Sequence, residues 1–381
     1  PRWYGLLYGS ASGQDAAFNS ARLASATYDV PVLVEGSVFL AASATISSGQ
    51  RVSCAPDGRF ASAYTIEMTF ATGSFFDGVG LCFGAYVQPI FSRLTVQSDE
   101  IPLSWMGDPD PAAKFGKWVD SAPSGSRLLC DVDLALSGTS VSITASKTYV
   151  PRGGALSIGG SAGIPVSISI LSMEIPGNMQ AFAVTAPTLG TVAFNGYVKP
   201  EWFGAIGNGT HDDTAAMLPA LQFGLVYLSG VYKMTSPFIG SEIGIRGTPG
   251  CTLMVSGTSS TTILSTSGVT IMAASGSPTI TVGLLDAERT EFMDDVAISA
   301  TEASFDNCSF YTAKMSISGD VRYVATKRIS ADPRTGYNDK PELISPAYLT
   351  DQNPGFPLMC GDSGLIQDSG GFHYSRKSLA T

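Results

Sequence analysis

The sequence predicts a mainly β chain of tandem, short parallel β-helical units, each entered through a short α-helix. Three observations lead there. Charged residues make up 14% of the chain and hydrophobic residues 44%, with 42 glycines among many Ser, Thr and Ala. An ordinary soluble domain carries about a quarter charged residues, and low charge with small and β-branched side chains suits stacked strands crowded on both faces. The β-rich runs are also short and separated by Gly, Ser or Asn corners, which fits a solenoid better than a sandwich. Finally, the chain repeats itself: Trp-x-Gly occurs at Trp3, Trp105 and Trp202, three of the four tryptophans, with separations of 102 and 97 residues. Self-similarity of this kind points to stacked units, and 381 residues hold two or three ordinary domains or one elongated array.

Unit one, residues 1–102, opens on Trp3-Tyr4-Gly5. Its helix starts at Ala16-Ala17-Phe18, with Gly13-Gln14-Asp15 as a polar cap. A strand run closing at Val34 follows. Thr45-Ile46 and Arg51-Val52-Ser53-Cys54 then flank a tight turn, and the runs Tyr64–Phe70 and Phe75–Phe83 complete the unit. Unit two, residues 103–198, repeats the order with a shorter turn: the helix at Ala112-Ala113-Lys114-Phe115 comes 7 residues after Trp105, against 13 in the other copies. Asp110, between Pro109 and Pro111, is its cap. Strand runs close at Cys130, flank Arg152-Gly153-Gly154, and cover Pro165–Leu171.

Unit three, residues 199–330, has its helix start at Ala215-Ala216-Met217, where Asp213 or Thr214 can accept from the free N–H groups of the first turn. Leu225–Leu228 and Val231–Met234 are strands either side of Ser229-Gly230, and Phe238–Ile245 reads as strand, tight turn, strand. Val296–Ser299 and Ala303–Phe310 are further strand runs. Within the second, Asn307 takes a left-handed corner between inward-facing apolar residues. Residues 331–381, with Pro333, Pro341, Pro346, Pro354 and Pro357, read as a tail, either extended against a neighbouring subunit or disordered, ending in Arg376-Lys377.

The stretch Val198-Lys199-Pro200-Glu201-Trp202-Phe203-Gly204-Ala205, followed by Gly209-Thr210-His211-Asp212-Asp213-Thr214-Ala215-Ala216, resembles the start of pectate-lyase-like β-helix domains in bacteriophage tailspike and tail-fibre proteins. In those proteins a W-F-G-A…G-x-x-D-D-T-x-A pattern recurs. The match covers residues 198–250, reaches the first two units through internal similarity, and leaves out 331–381. It implies right-handed parallel β-helices, a homotrimer, and a place in the virion tail after assembly in the host cytoplasm. Other virion tail proteins and a bacterial surface polysaccharide are the partners it implies. Tailspike enzymes carry one long, uninterrupted β-helix, whereas this chain restarts the motif and leaves few rungs per unit. That departure favours a structural or host-surface attachment role. A depolymerase cleaving capsule or lipopolysaccharide is the alternative, and an internal tail or baseplate protein the third reading.

A net charge of −10 argues against nucleic acid or an anionic membrane as the main partner. No run approaches the roughly 20 apolar residues of a membrane helix, so no membrane insertion is expected. Pro1-Arg2-Trp3-Tyr4-Gly5 carries no leader pattern. The six cysteines (Cys54, Cys82, Cys130, Cys251, Cys308, Cys360) lie far apart without a C-x-x-C pair, and read as buried free thiols of a protein folded in a reducing cytoplasm.

Catalytic residues stay unassigned, and neither a cofactor nor a metal is expected. Of the two histidines, His211 reads as an exposed turn residue, and neither it nor His373 is accompanied by a G-x-S-x-G elbow. Gly361-Asp362-Ser363-Gly364 is similar to a serine-protease nucleophile loop but has no suitable histidine. Asp212-Asp213 suggests paired catalytic carboxylates. The equivalent places in the other copies hold a single acid each, so both read as helix caps. Glycoside hydrolysis requires two carboxylates about 5–9.5 Å apart. Asp294, Asp295, Glu302 and Asp306 are the acids of the most strand-rich part, with solvated corner acids as the plainer reading. No Asp-rich calcium loop of a lyase is evident, and Gly207-Asn208-Gly209 lacks the Gly-Lys-Ser/Thr of a phosphate loop. Tyr323, Tyr337, Tyr348 and Tyr374 are either sugar-stacking residues or packed against the tail or a partner chain.

Overall fold

A computed structural model describes residues 13–138, 140–159, 166–184, 189–194, 196–223, 225–293, 296–310, 314–318, 321–324 and 327–329, with short strands at 341–342, 349–350, 365–367 and 372–374. Trp3, Asp294, Asp295, Tyr337, Tyr348, Cys360, residues 361–364, Arg376 and Lys377 lie outside these. The chain is mainly β, with parallel sheets of stacked short strands. Two compact units, Pro1–Asn195 and Gly196–Thr381, stand where the sequence predicts three units and a tail.

The first unit opens on helix α1 (Asp15–Tyr28), which turns Phe18, Ala21 and Ser25 inward and stops at Asp29 in the left-handed region, φ 49°. That spacing of three and four residues is the inward stripe of a helix. Behind it the chain returns to each sheet every 20–24 residues. Val32 pairs with Val52, Ser37 with Arg59, Ala44 with Met68 and Ile66 with Val87, all parallel. The core between these sheets is aromatic. Phe76 has ring centroids 5.0 Å from Phe70, 5.1 Å from Phe83, 5.7 Å from Phe91 and 5.0 Å from Trp105.

Those contacts explain why the first two repeats are one unit. Trp105 belongs to the second repeat but packs on rings of the first. Met106 bridges to Phe83, and Trp105 Nε1 donates to the Gly78 carbonyl at 3.0 Å. From helix α2 (Pro111–Ser121), Lys117 Nζ donates to the carbonyls of Gly84 (3.0 Å), Ala85 and Gly107 (3.3 Å), with Asp108 3.6 Å away. Burial lowers the Lys117 pKa. The parallel stack continues through 100–102, 127–130 and 148–151, with Leu156–Gly159 and Val166–Ile170 in adjoining sheets.

The second unit has a short 3-10 turn (Pro200–Phe203), helix α3 (Thr214–Gln222) and two long parallel sheets. Inner columns run across the rungs in register. Val226, Ile245, Thr266, Ala287 and Phe305 form one, and Tyr232, Leu253, Ile271 and Phe292 another, and all are buried. Residues 239–247, 258–267, 279–288 and 297–306 are single strands of nine or ten residues. This corrects the strand-turn-strand reading of Phe238–Ile245. The in–out alternation does slip within each: Thr262 and Ile263 follow one another outward, between buried Thr261 and Leu264. The ladder skips Ser241, Thr262 and Gly283 at the bend and resumes beyond it in the same register. At this bend only glycine fits position 283, since a Cβ there would stand 2.7 Å from the Thr262 carbonyl. Asn307 takes φ 52° between buried Phe305 and Cys308, as the corner reading expects. Strand 321–324 pairs with 297–306, and residues 341–342 and 372–374 add antiparallel strands to the two sheets.

Cys54, Cys82, Cys130, Cys251 and Cys308 are free and buried, and burial pushes the Cys251 thiol up to about 11 and that of Cys308 to about 12. Among the described residues no helix is long and apolar enough to cross a membrane.

Candidate functional site

Two places in the second unit gather chemistry-bearing side chains. The first is the segment between the 3-10 turn and α3, where a short loop at 204–207 leads into a strand, Asn208–Asp212, paired with Val231–Lys233. His211 thus stands on an exposed strand where the sequence reads a turn. The cap of α2 follows the sequence expectation, with the Asp110 carboxylate accepting from the Ala112 N–H at 3.0 Å. Asp212 likewise accepts from the N–H of Thr214, the first residue of α3, at 3.1 Å. Asp213 stands at the N-cap of α3 without capping it. Its carboxylate, fully buried, turns back to accept from the N–H groups of Ile206 (2.8 Å) and Gly207 (3.1 Å), and lies 3.0 Å from His211 Nδ1. Asp15 does the same in the first unit, accepting from the Ala41 and Ala42 N–H groups at 3.1–3.2 Å. What recurs is an acid at a helix start that ties down two successive amides of a loop. Asp212 is exposed and accepts from the Thr214 N–H and from the hydroxyls of Thr214 and Thr235. Those hydroxyls lower its pKa to about 2.

Beneath this loop Glu201 is buried, its Oε1 accepting from Tyr232 Oη at 2.6 Å and Ser229 Oγ at 2.7 Å. Burial, then Glu201, raises the Tyr232 pKa. Glu201 Oε2 and Trp202 Nε1 have no hydrogen-bond partner among the described residues. The geometry is that of a locked turn. Every acid in it except exposed Asp212 is enclosed by the protein itself.

The second place is the outer face of the long-stranded sheet. A hollow of about 380 Å³ opens there, bordered by Leu225, Glu242, Gly244, Arg246, Ile263 and Ser265. Register explains it. Leu225, Gly244 and Ser265 are successive members of one outward column, so a glycine and a serine form the floor, between Glu242 and Arg246 on the same strand. Tyr227 pairs with Arg246 in the next column, and its ring lies 5.1 Å from that of Tyr197, which stacks on Trp202 at 6.5 Å. Apart from Trp202, read as a structural landmark, the sequence singled out none of these residues. Tyr227 was visible only as part of a strand run, and the hollow exists because three strands separated by about 20 residues align.

Of the four candidate acids, Asp294 and Asp295 lie outside the described residues, and Glu302 and Asp306 are solvated, as the plainer reading has them. Glu302 and Asp306 are exposed on one strand, four residues apart, so their Cα atoms are about 13 Å apart at strand rise. Asp306 is instead the register partner of Glu288, on strands about 4.8 Å apart. Both are exposed, and Glu288 already holds Ser267 Oγ at 3.2 Å and Arg289 at 2.8 Å. Tyr323 is the register partner of Phe305, Tyr374 of Val321 and Leu365, and His373 of Arg322 and Ile366. Among the described residues no group of three or more His, Cys, Asp or Glu is placed to hold a metal ion. Compared with known proteins, the chain matches no family model, no curated protein and no solved structure.

Proposed function

We propose that the chain is a bacteriophage tail protein of the tailspike or tail-fibre type, with a structural and host-surface attachment role. In this reading its parallel stacks close into short right-handed, pectate-lyase-like β-helices and it assembles as a homotrimer beside other tail proteins. The observation that supports it is the start of the second unit. The Trp202-Phe203-Gly204 turn, the Asp213-tied loop, α3 and an in-register parallel ladder follow one another in the order the resemblance implies. The stacks of the first unit are only two or three strands deep, and the outer face of the longer second stack offers an open hollow, where a cleft that excludes water would favour chemistry. Attachment is tested by incubating the purified chain with bacteria that differ in capsule and lipopolysaccharide and measuring co-sedimentation. Retention that follows one surface glycan is expected, and no retention on any strain overturns the reading.

A polysaccharide depolymerase is the second reading, favoured by the Glu288–Asp306 adjacency on the outer face. New reducing ends or unsaturated sugars released from the retained glycan, abolished in Glu288→Gln and Asp306→Asn, would establish it over the non-enzymatic role.

A further inference from the structure

We infer that the hollow over Gly244 binds one neutral pyranose ring of a bacterial surface glycan. This deepens, and rests on, the attachment reading. A cavity of about 380 Å³ has room for a single ring with its water, and its floor of Gly244 and Ser265 lets a flat ligand lie close to the sheet backbone. A pyranose has one face rich in C–H groups and an equator of hydroxyls. Leu225 and Ile263 supply the aliphatic contact for the face. Glu242 as acceptor and Arg246 as donor stand exposed at opposite ends, four residues apart along one strand, within reach of hydroxyls on two sides. Tyr227 and half-exposed Tyr197 extend an aromatic wall beyond Arg246, where a following ring would stack.

Charge decides which sugars fit. The same outer face carries Asp286, Glu288, Glu302 and Asp306 besides Glu242. Among the described side chains of these strands and the turns that follow them, the balancing cations are Arg246 and Arg289, and Arg289 pairs with Glu288. With a net charge of −10 on the whole chain, a uronic or sialic acid is repelled at long range and meets a carboxylate at the rim. A neutral ring pays neither cost. The aliphatic border and glycine floor of a rigid, doubly paired strand hold the site open without a conformational change.

Saturation-transfer NMR and calorimetry on the full chain test this. The probes are the methyl glycosides of glucose, galactose, mannose, rhamnose and N-acetylglucosamine, with methyl glucuronide as the charged control. At least one neutral glycoside is expected to bind with Kd of about 1–10 mM, as suits one ring in an open site, and glucuronide about tenfold or more weakly. Gly244→Val fills the floor with a residue that strands accept and is expected to weaken binding at least about tenfold at an unchanged thermal midpoint. If Gly244→Val lowers the midpoint, Arg246→Ala, which removes an exposed side chain, carries the test with an expected loss of about fivefold. No neutral glycoside bound, glucuronide bound as tightly, or variants binding like the parent would each overturn the inference. Co-sedimentation with cells is run in parallel. Full attachment by a chain that binds no glycoside sinks the site and leaves the attachment role, and glycoside binding without attachment does the reverse.

Discussion

Asp212 and Asp213 are adjacent yet do different work. Asp213 is enclosed and holds two loop amides, so Asp213→Ala removes two charge-assisted, part-buried hydrogen bonds and should cost about 1–3 kcal/mol, read as a lower urea midpoint. Asp110→Ala, which removes a simple cap, should cost nearer 1 kcal/mol. Asp212 is exposed and held near pKa 2 by the Thr214 and Thr235 hydroxyls, below its ordinary value of 3.8. A carboxyl depressed on folding stabilises the native state above its unfolded pKa and loses that contribution as pH falls toward the folded one. Thermal midpoints should therefore fall between about pH 4 and pH 2, by a small amount because the group faces solvent. Asp212→Asn should flatten that part of the profile, and an unchanged slope would refute the assignment. Sequence placed both acids at a helix start. It could not show that the amides held by Asp213 lie six and seven residues upstream, because loop closure selects them and helix periodicity does not.

At the level of elements, the helices and most short strands were legible, since each is marked by a local signal: an Ala-Ala start after a polar residue, or a β-rich run between Gly, Ser or Asn. Phe238–Ile245 was misread for a physical reason. Exposed Ser241 beside exposed Glu242 breaks the alternation as a turn would, while the strand keeps its register on either side of that step, Gly240 against Thr261 and Gly244 against Leu225 and Ser265. The joining of the first two repeats was hidden too, because repeat spacing reports similarity and says nothing of shared contacts. Phe76 is where those contacts meet, so Phe76→Ala should cost about 3–5 kcal/mol. Its first unit should still unfold in one transition. Two separate transitions for residues 13–100 and 101–194, followed by hydrogen exchange, would show that the repeats are independent after all.

For the whole molecule, the proposed trimer predicts a solution mass about three times the 39.7 kDa of one chain by light scattering, and a clean monomer would contradict it. The hollow over Gly244 escaped sequence reading for the same reason that the Glu288–Asp306 pair did. Both are made by residues about one rung apart, and no local pattern announces what lies across a rung. The ladder itself has a further consequence. Ile245, Thr266 and Ala287 align at intervals of 21 residues. Duplicating or deleting one such stretch would shift everything beyond it by about 4.8 Å and present each neighbour with chemistry it already meets. Gene-level changes of 21 codons are thus the least disruptive way to alter the reach of this protein, and its length should vary among lineages in steps.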